Sequence, residues 1–405
     1  MRVLYFHQHF STPSGATGIR SYEMAKKLIG EGHQVTMVCG SYSGGKTGLD
    51  MPFTDGMRRG EVDGIDVIEF ELPYANVQSF LERTKTFLSF AWKSVRLVFR
   101  EDYDLVFATT TPLTAGIPGI FARWLRGKPF VFEVRDLWPE LPREMGVIKN
   151  PVILALMSVL EWVSYKSAHR LVGLSPGIVE GILRYKKDPS RVKMIPNGCD
   201  IHIFRGDVGP WRPEGVNEKD LLAVYTGTHG IANGLDAVLD AACELKKRGR
   251  DDIKLFLMGQ GKLKGELQKA AGDKGLSNVI FHDPVDKKKL AGLMAGADIG
   301  MQILANVPAF YYGTSPNKFF DYLSAGLPVL TNYPGWVADL VRENGCGYAV
   351  EPARPVDFAN ALEKAADNRD GLVSMGDASA KLAERMFSRD DLAGQFVEWL
   401  EGTCK

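Results

Sequence analysis

Short apolar runs bounded by glycine or charge recur along this chain, and between them apolar residues repeat every third or fourth position. The runs read as buried strands and the repeats as helices with one apolar face. In the first half the pattern predicts strands at Met1–Phe6, His33–Cys39, Leu105–Thr109, Pro129–Val134 and Leu171–Leu174. Helices are expected up to about Gly30 and over 79–100, 113–126 and 151–168. Loose composition follows (Gly206, Gly209, Pro210, Pro213, Gly215), the place for a linker. From Leu221 the alternation restarts, with strands at 221–226, 253–258, 279–282, 298–304, 328–331 and 347–350. The helices between and after them fall near 234–248, 262–274, 286–296, 316–325, 335–344 and 355–368. Such alternation builds α/β domains with doubly wound parallel sheets. Two are expected, 1–198 and 199–386, with the last helix, about 387–405, crossing back to the first. Two such sheets meeting edge to edge would enclose a cleft, the default place for a ligand.

Composition changes this picture little. Lysine plus arginine and aspartate plus glutamate number 49 each, so no global field favours nucleic acid, and any anion recognition must be local. The five cysteines (Cys39, Cys199, Cys243, Cys346, Cys404) are scattered, which argues for a reducing compartment and against structural zinc. The start reads as a strand rather than a leader, and no apolar run reaches the ~18 residues of a spanning helix. The expected location is the cytoplasm, including the inner face of the plasma membrane.

Candidate chemistry concentrates in Tyr312–Thr331. Ser315 can cap a helix whose first turn takes Pro316, Gly326 stops it, and a buried strand follows. The free first-turn amides near Asn317, with Lys318 beside them, suit an anion, and Asp321 one turn on could accept hydrogen bonds from vicinal hydroxyls. An ordinary surface helix remains the alternative. Gly15 and Gly18 sit in a βα loop, and Gly227-Thr228-His229-Gly230 is a second small-residue loop before a helix. Glu133, Arg135 and Asp136 end a strand, where a sheet enzyme keeps its chemistry, or form a structural ion network. Gly40–Thr47 matches a phosphate-loop spacing, but Gly48, Pro52, Gly56 and Gly60 break the helix that motif requires. Asp102-x-Asp104 imitates a metal motif at the wrong end of its strand. Residues 79–100 form a basic, aromatic helix that fits either a membrane surface or a cover for the sheet.

Taken together, these motifs resemble the retaining glycosyltransferases of family four, with two Rossmann-like domains facing across a cleft (the GT-B fold). The likeness rests on the glycine loop before Ile19, Gly32-His33-x-Val35, Leu174-Ser175, Ile195-Pro196-Asn197-Gly198-x-Asp200, Tyr225-x-Gly227, Met258-Gly259-x-Gly261, Ala297-Asp298 and Phe320-Asp321 through Val329. Glu133-x-Arg135-Asp136-x-Trp138-Pro139-Glu140 is similar to a subgroup making bacterial O-antigen and exopolysaccharide repeats, N-acetylfucosamine transferases among them. The resemblance implies a nucleoside diphosphate-sugar donor, UDP favoured over GDP, in the second domain and an acceptor in the first. It implies no metal and no cofactor. Asp321 would then bind the donor ribose. Gly15, Gly18 and the amides of Ser315, Pro316's neighbour Asn317 and that turn would face the diphosphate, with Pro284 and Val285 near the base. The family's phosphate-binding cations fall on Thr228 and Asn233, leaving Lys318 and His229 to supply positive charge. Its first paired acid falls on Gly313, and its frequent histidine falls on Arg135, a side chain that stays protonated. The expected reaction is retaining, metal-independent transfer to a lipid diphosphate-linked saccharide, with Lys318, Arg135, Asp136 and Glu133 as catalytic candidates. A nucleotide-sugar epimerase or hydrolase, and a non-catalytic nucleotide-sugar binder, are the rival readings.

Overall fold

The computed structural model describes the chain apart from Ala16, Asn76, Val77, Asp207 and Lys405, and apart from the side chain of Phe80. It divides into two compact units. The first holds Met1–Pro196, Gly313–Ser315 and Asp390–Lys405, the second Asn197–Tyr312 and Pro316–Arg389.

The first unit runs β1 (Arg2–Phe6), α1 (Arg20–Gly30), β2 (Gln34–Tyr42), β3 (Met57–Val62), β4 (Ile65–Tyr74), α2 (Phe80–Arg100) and β5 (Leu105–Thr109). It continues with α3 (Gly116–Leu125), β6 (Phe130–Val134), α4 (Glu140–Glu144), α5 (Pro151–Ser167), β7 (Arg170–Gly173), α6 (Pro176–Leu183) and β8 (Val192–Met194). The strands form one sheet in the order β3-β4-β2-β1-β5-β6-β7-β8. All neighbours are parallel except β3 with β4, a hairpin turning at Asp63-Gly64. Strands β5 and β6 are buried along their whole length, as apolar runs covered on both faces should be. Ser79 and Glu82 cap α2 reciprocally, and Asn150 caps α5 ahead of Pro151.

The second unit opens with α7 (Ile201–Phe204) and then alternates β9 (Leu221–Thr226), α8 (Asp236–Lys247), β10 (Ile253–Met258), α9 (Lys264–Asp273), β11 (Val279–His282), α10 (Lys287–Gly296) and β12 (Ile299–Gln302). After α11 (Ala309–Gly313) come α12 (Asn317–Ala325), β13 (Val329–Thr331), α13 (Trp336–Glu343), β14 (Gly347–Ala349), α14 (Pro355–Asp367) and α15 (Arg369–Met386). This sheet is wholly parallel, in the order β11-β10-β9-β12-β13-β14. The final helix, α16 (Arg389–Cys404), gives Phe396 and Leu400 to the core of the first unit, with Phe396 4.9 Å edge-on from Phe107. Among the described residues no helix is long and apolar enough to cross a membrane.

Candidate functional site

In the second unit the chain winds from β9 through β10 to β11 on one side, then returns to β12 beside β9. The β9–β12 boundary is therefore the switch point, where connections leave in opposite directions and ligands bind. Gly227, directly after β9, and the start of α12 both serve this edge. Phe319, Phe320, Tyr322 and Leu323 are buried and fix α12 against the sheet. The Tyr322 hydroxyl accepts from Thr226 N at 3.2 Å, tying α12 to the end of β9. That pinning leaves Lys318 and Asp321 on the partly exposed side of the helix. The expected cap moves by one residue: Pro316, not Ser315, is the N-cap, and its own side chain makes no capping hydrogen bond. Ser315 itself groups with the first unit, while Pro316 and Asn317 belong to the second.

Lys318 lies along the Gly227 loop with its Nζ 5.0 Å from the centre of the Tyr225 ring. A Cβ on Gly227, whose φ is +148°, would come within 3.0 Å of Lys318 Cε, so glycine makes room for the lysine. Burial lowers the Lys318 pKa to about 8, against a partial rise from Asp321. Burial likewise raises Asp321 to about 6, with Lys287 the largest opposing influence. An ammonium beside first-turn helix amides can receive a diphosphate, and a carboxylate one turn further can receive hydroxyls.

The loop under Lys318 is held by close backbone packing. A Cβ on Gly259 would stand 1.8 Å from Gly227 O, and one on Gly261 2.4 Å from His229 O. Gly227 N donates to Met258 O at 2.9 Å and His229 N to Gln260 O at 2.9 Å. Thr228 is exposed on this loop, but His229 is fully buried and burial lowers its pKa to about 4. The positive charge expected from His229 is thus replaced by a neutral ring under the loop. Pro284 and Val285 follow β11, where Lys264 bonds the neighbouring Asp283 and Asp286 caps α10.

In the first unit the switch point lies between β1 and β5. Arg135 N donates to Thr110 Oγ1 at 2.8 Å, and Thr111 Oγ1 donates to Asp136 Oδ2 at 3.1 Å. Arg135 Nη1 lies 3.4 Å from His7 Nε2. Burial and then Arg135 hold His7 well below the usual imidazole range, so it is a neutral acceptor. Burial pushes Asp136 upward. Glu133 sits below this edge with no exposure; Arg20 Nη2 donates to it at 2.8 Å and Thr109 Oγ1 at 2.7 Å. Burial alone would raise the Glu133 pKa, but Arg20 prevails and the net shift is downward. Both of its oxygens are engaged within the protein. Arg20 also donates to Ile195 O at 2.8 Å and to Pro196 O at 2.5 Å, which locks the Ile195-Pro196 turn. Gly15 is partly exposed and Gly18 exposed in the loop before α1, while Ala16 between them lies outside the described residues.

Sequence reading passed over Arg20 and His7, and it named Tyr225 only as part of a motif, without its contact with Lys318. A lone arginine opening an otherwise apolar helix face was the available signal for Arg20. The decoys resolve plainly. After Gly40–Thr47 no helix starts, and Thr47 Oγ1 is spent on Glu69. Asp102 and Asp104 both pair with Arg2. Among the described residues no three His, Cys, Asp or Glu side chains gather as a metal site would require.

Comparison with known proteins agrees with these two sheets. A glycosyl transferase 4-like domain matches residues 15–198, and a glycosyl transferases group 1 domain matches residues 220–368. The D-inositol 3-phosphate glycosyltransferase of Paenarthrobacter aurescens is 27% identical over 54% of this chain and 53% of its own length. The O-antigen chain mannosyltransferase C of Escherichia coli is 29% identical over 62% of this chain and 65% of its own. The chain thus spans about half the length of the first of the curated relatives it matches. Among solved structures, WaaG, a glycosyltransferase involved in lipopolysaccharide biosynthesis, shares the fold at a TM-score of 0.70 with 18% identity, covering 99% of this chain and 100% of that one. HepE of Anabaena in complex with UDP superposes at 0.67 with 16% identity, covering 99% and 100%. With one matched domain in each sheet unit, the chain belongs to the glycosyltransferases of the GT-B fold.

Proposed function

We propose that this protein transfers a sugar from a nucleoside diphosphate-sugar, UDP favoured over GDP, to a saccharide carried on a lipid diphosphate. The reaction is read as retaining and metal-independent, in the assembly of bacterial surface polysaccharide, with the N-acetylfucosamine transferases as the nearest expected chemistry. The observation that carries this reading is Lys318 laid over Tyr225 and Gly227 in the first turn of α12, with Asp321 one turn on. The mannosyltransferase relative in O-antigen synthesis and the UDP complex of a protein with the same fold support it.

In this mechanism the second unit holds the donor. Asp321 accepts the ribose hydroxyls, and Pro284 and Val285 border the base. As the sugar–oxygen bond breaks, charge grows on the leaving phosphate, where Lys318 and the first-turn amides stabilise it. The acceptor hydroxyl attacks from the face the phosphate leaves, and its proton passes to that phosphate. The first unit receives the acceptor, with Asp136 orienting it and Arg135 fixed by Thr110 as a further cation. Peripheral contact with the inner membrane face through α2 would bring a lipid-borne acceptor to it.

Thermal shift with UDP-, GDP- and dTDP-sugars identifies the donor, because a ligand bound to the folded state raises the melting point. With that donor, product release must depend on acceptor, and Lys318→Ala should lower turnover by about 10²-fold, as for other lost oxyanion donors. Full-rate conversion of donor alone would establish the epimerase or hydrolase. Donor binding without turnover under any lipid-linked acceptor would establish a binder instead.

A further inference from the structure

Solvent-facing helix surfaces are normally polar, but the outer face of α5 is not. Val152, Leu156, Val159 and Trp162 recur there at helical spacing and are all exposed, Leu156 by 66%. Lys166, at the last turn, is the first charged residue on that face. Helix α3 lies against both α5 and α2. The crossovers β4→β5, β5→β6 and β6→β7 all step the same way along the sheet, and their common hand puts α2, α3 and α5 on one side of it. Helix α3 ends in Trp124, 64% exposed, and Leu125. The Trp124 Nε1–H donates to Ser167 Oγ at 2.8 Å, so only the apolar ring is offered outward. Helix α2 adds Leu81, Leu88, Trp92 and Phe99, each exposed.

The charge on this surface has one sign. Lys85, Arg96 and Arg100 of α2 and Lys166 of α5 are exposed, and among the described residues none of the four has an acidic partner. Arg96 lies over Trp92 and Arg123 over Trp124, which places cations beside the outward rings. The two acids of these helices are occupied: Glu82 caps α2, and Glu161 is buried against Tyr165. A contiguous apolar face fringed by unpaired cations complements an apolar layer beneath anionic head groups.

We propose that α2, α3 and α5 form one membrane-docking face that seats its apolar side chains in an anionic lipid bilayer. This extends the contact read for α2 alone to three helices, and it stands whether or not sugar transfer is the reaction. The full chain is tested by co-sedimentation with phosphatidylcholine vesicles, with and without phosphatidylglycerol, and by tryptophan emission. Binding should require phosphatidylglycerol and shift the emission to the blue. Lys85→Gln with Arg100→Gln should weaken it by about fivefold for each cation removed. Leu156→Asp with Val159→Asp should abolish the blue shift with thermal unfolding unchanged, since both side chains are exposed. Equal binding to both vesicles, or an α5 variant that sediments like the wild type, would overturn the proposal. So would a lipid-free dimer that the α5 substitutions convert to monomer, because the face would then serve a second copy.

Discussion

Burial draws the Lys318 pKa down from 10.5 to about 8, so a modest rise in pH discharges the ammonium in the free protein. Below about pH 8 the folded chain carries a charge it disfavours, and this burden lifts as pH rises toward 10.5. A bound diphosphate reverses the preference, since it needs the charged form. UDP affinity should therefore fall as pH rises through 8, approaching about tenfold per pH unit above it. Calorimetric titration from neutral to alkaline pH reads this directly, and Lys318→Met should flatten the profile. A flat wild-type profile would remove the lysine from the anion site. Arg20 makes a different demand. With Glu133 fully buried, Arg20→Met should lower stability by about 3–5 kcal/mol, because it strands a carboxylate. Arg20→Met with Glu133→Gln should recover much of that in thermal unfolding. Lys318 and Asp321 were legible because proline, lysine and aspartate share one helix turn. Arg20 was not, because its partner lies 113 residues away and only folding joins them.

At the scale of elements, the glycines of Met258-Gly259-x-Gly261 act through backbone rather than through a ligand. Gly259 has φ +155°, and its missing side chain lets β10's loop touch Gly227 O. Gly259→Ala should therefore push the Gly227 loop away from Lys318, costing roughly 3 kcal/mol or more of stability. Donor binding should be lost with it, checked by melting temperature and by UDP titration together. Most elements were readable from apolar periodicity, the strands of the second unit within two residues at each end. The hairpin of β3 and β4 was not. Its strand Met57–Val62 alternates charge with half-buried positions at a sheet edge, so no apolar run announces it. The Asp63-Gly64 turn, with both residues at positive φ, was the local sign of it. Ser315 misled for a related reason: a good capping residue precedes a proline that itself ends up as the cap.

For the molecule as a whole, balanced charge leaves recognition to local features, and the two proposed here differ in kind. One is the lysine-bearing helix start; the other is the apolar, cation-fringed side of the first sheet. The core of that sheet also depends on the chain's far end. Phe396 is fully buried, edge-on to Phe107 and 6.5 Å from the Tyr5 ring. Phe396→Ala should cost about 3–5 kcal/mol and show as an early melting step of the first unit. A single unshifted transition would mean that α16 adds little there. During synthesis the segment that completes the earliest sheet therefore emerges only after the whole of the second unit. The later unit has all its strands while β1 and β5 still wait for their cover, so maturation runs against the direction of translation. Until α16 emerges, an aromatic seam around Phe107 stands open to chaperones.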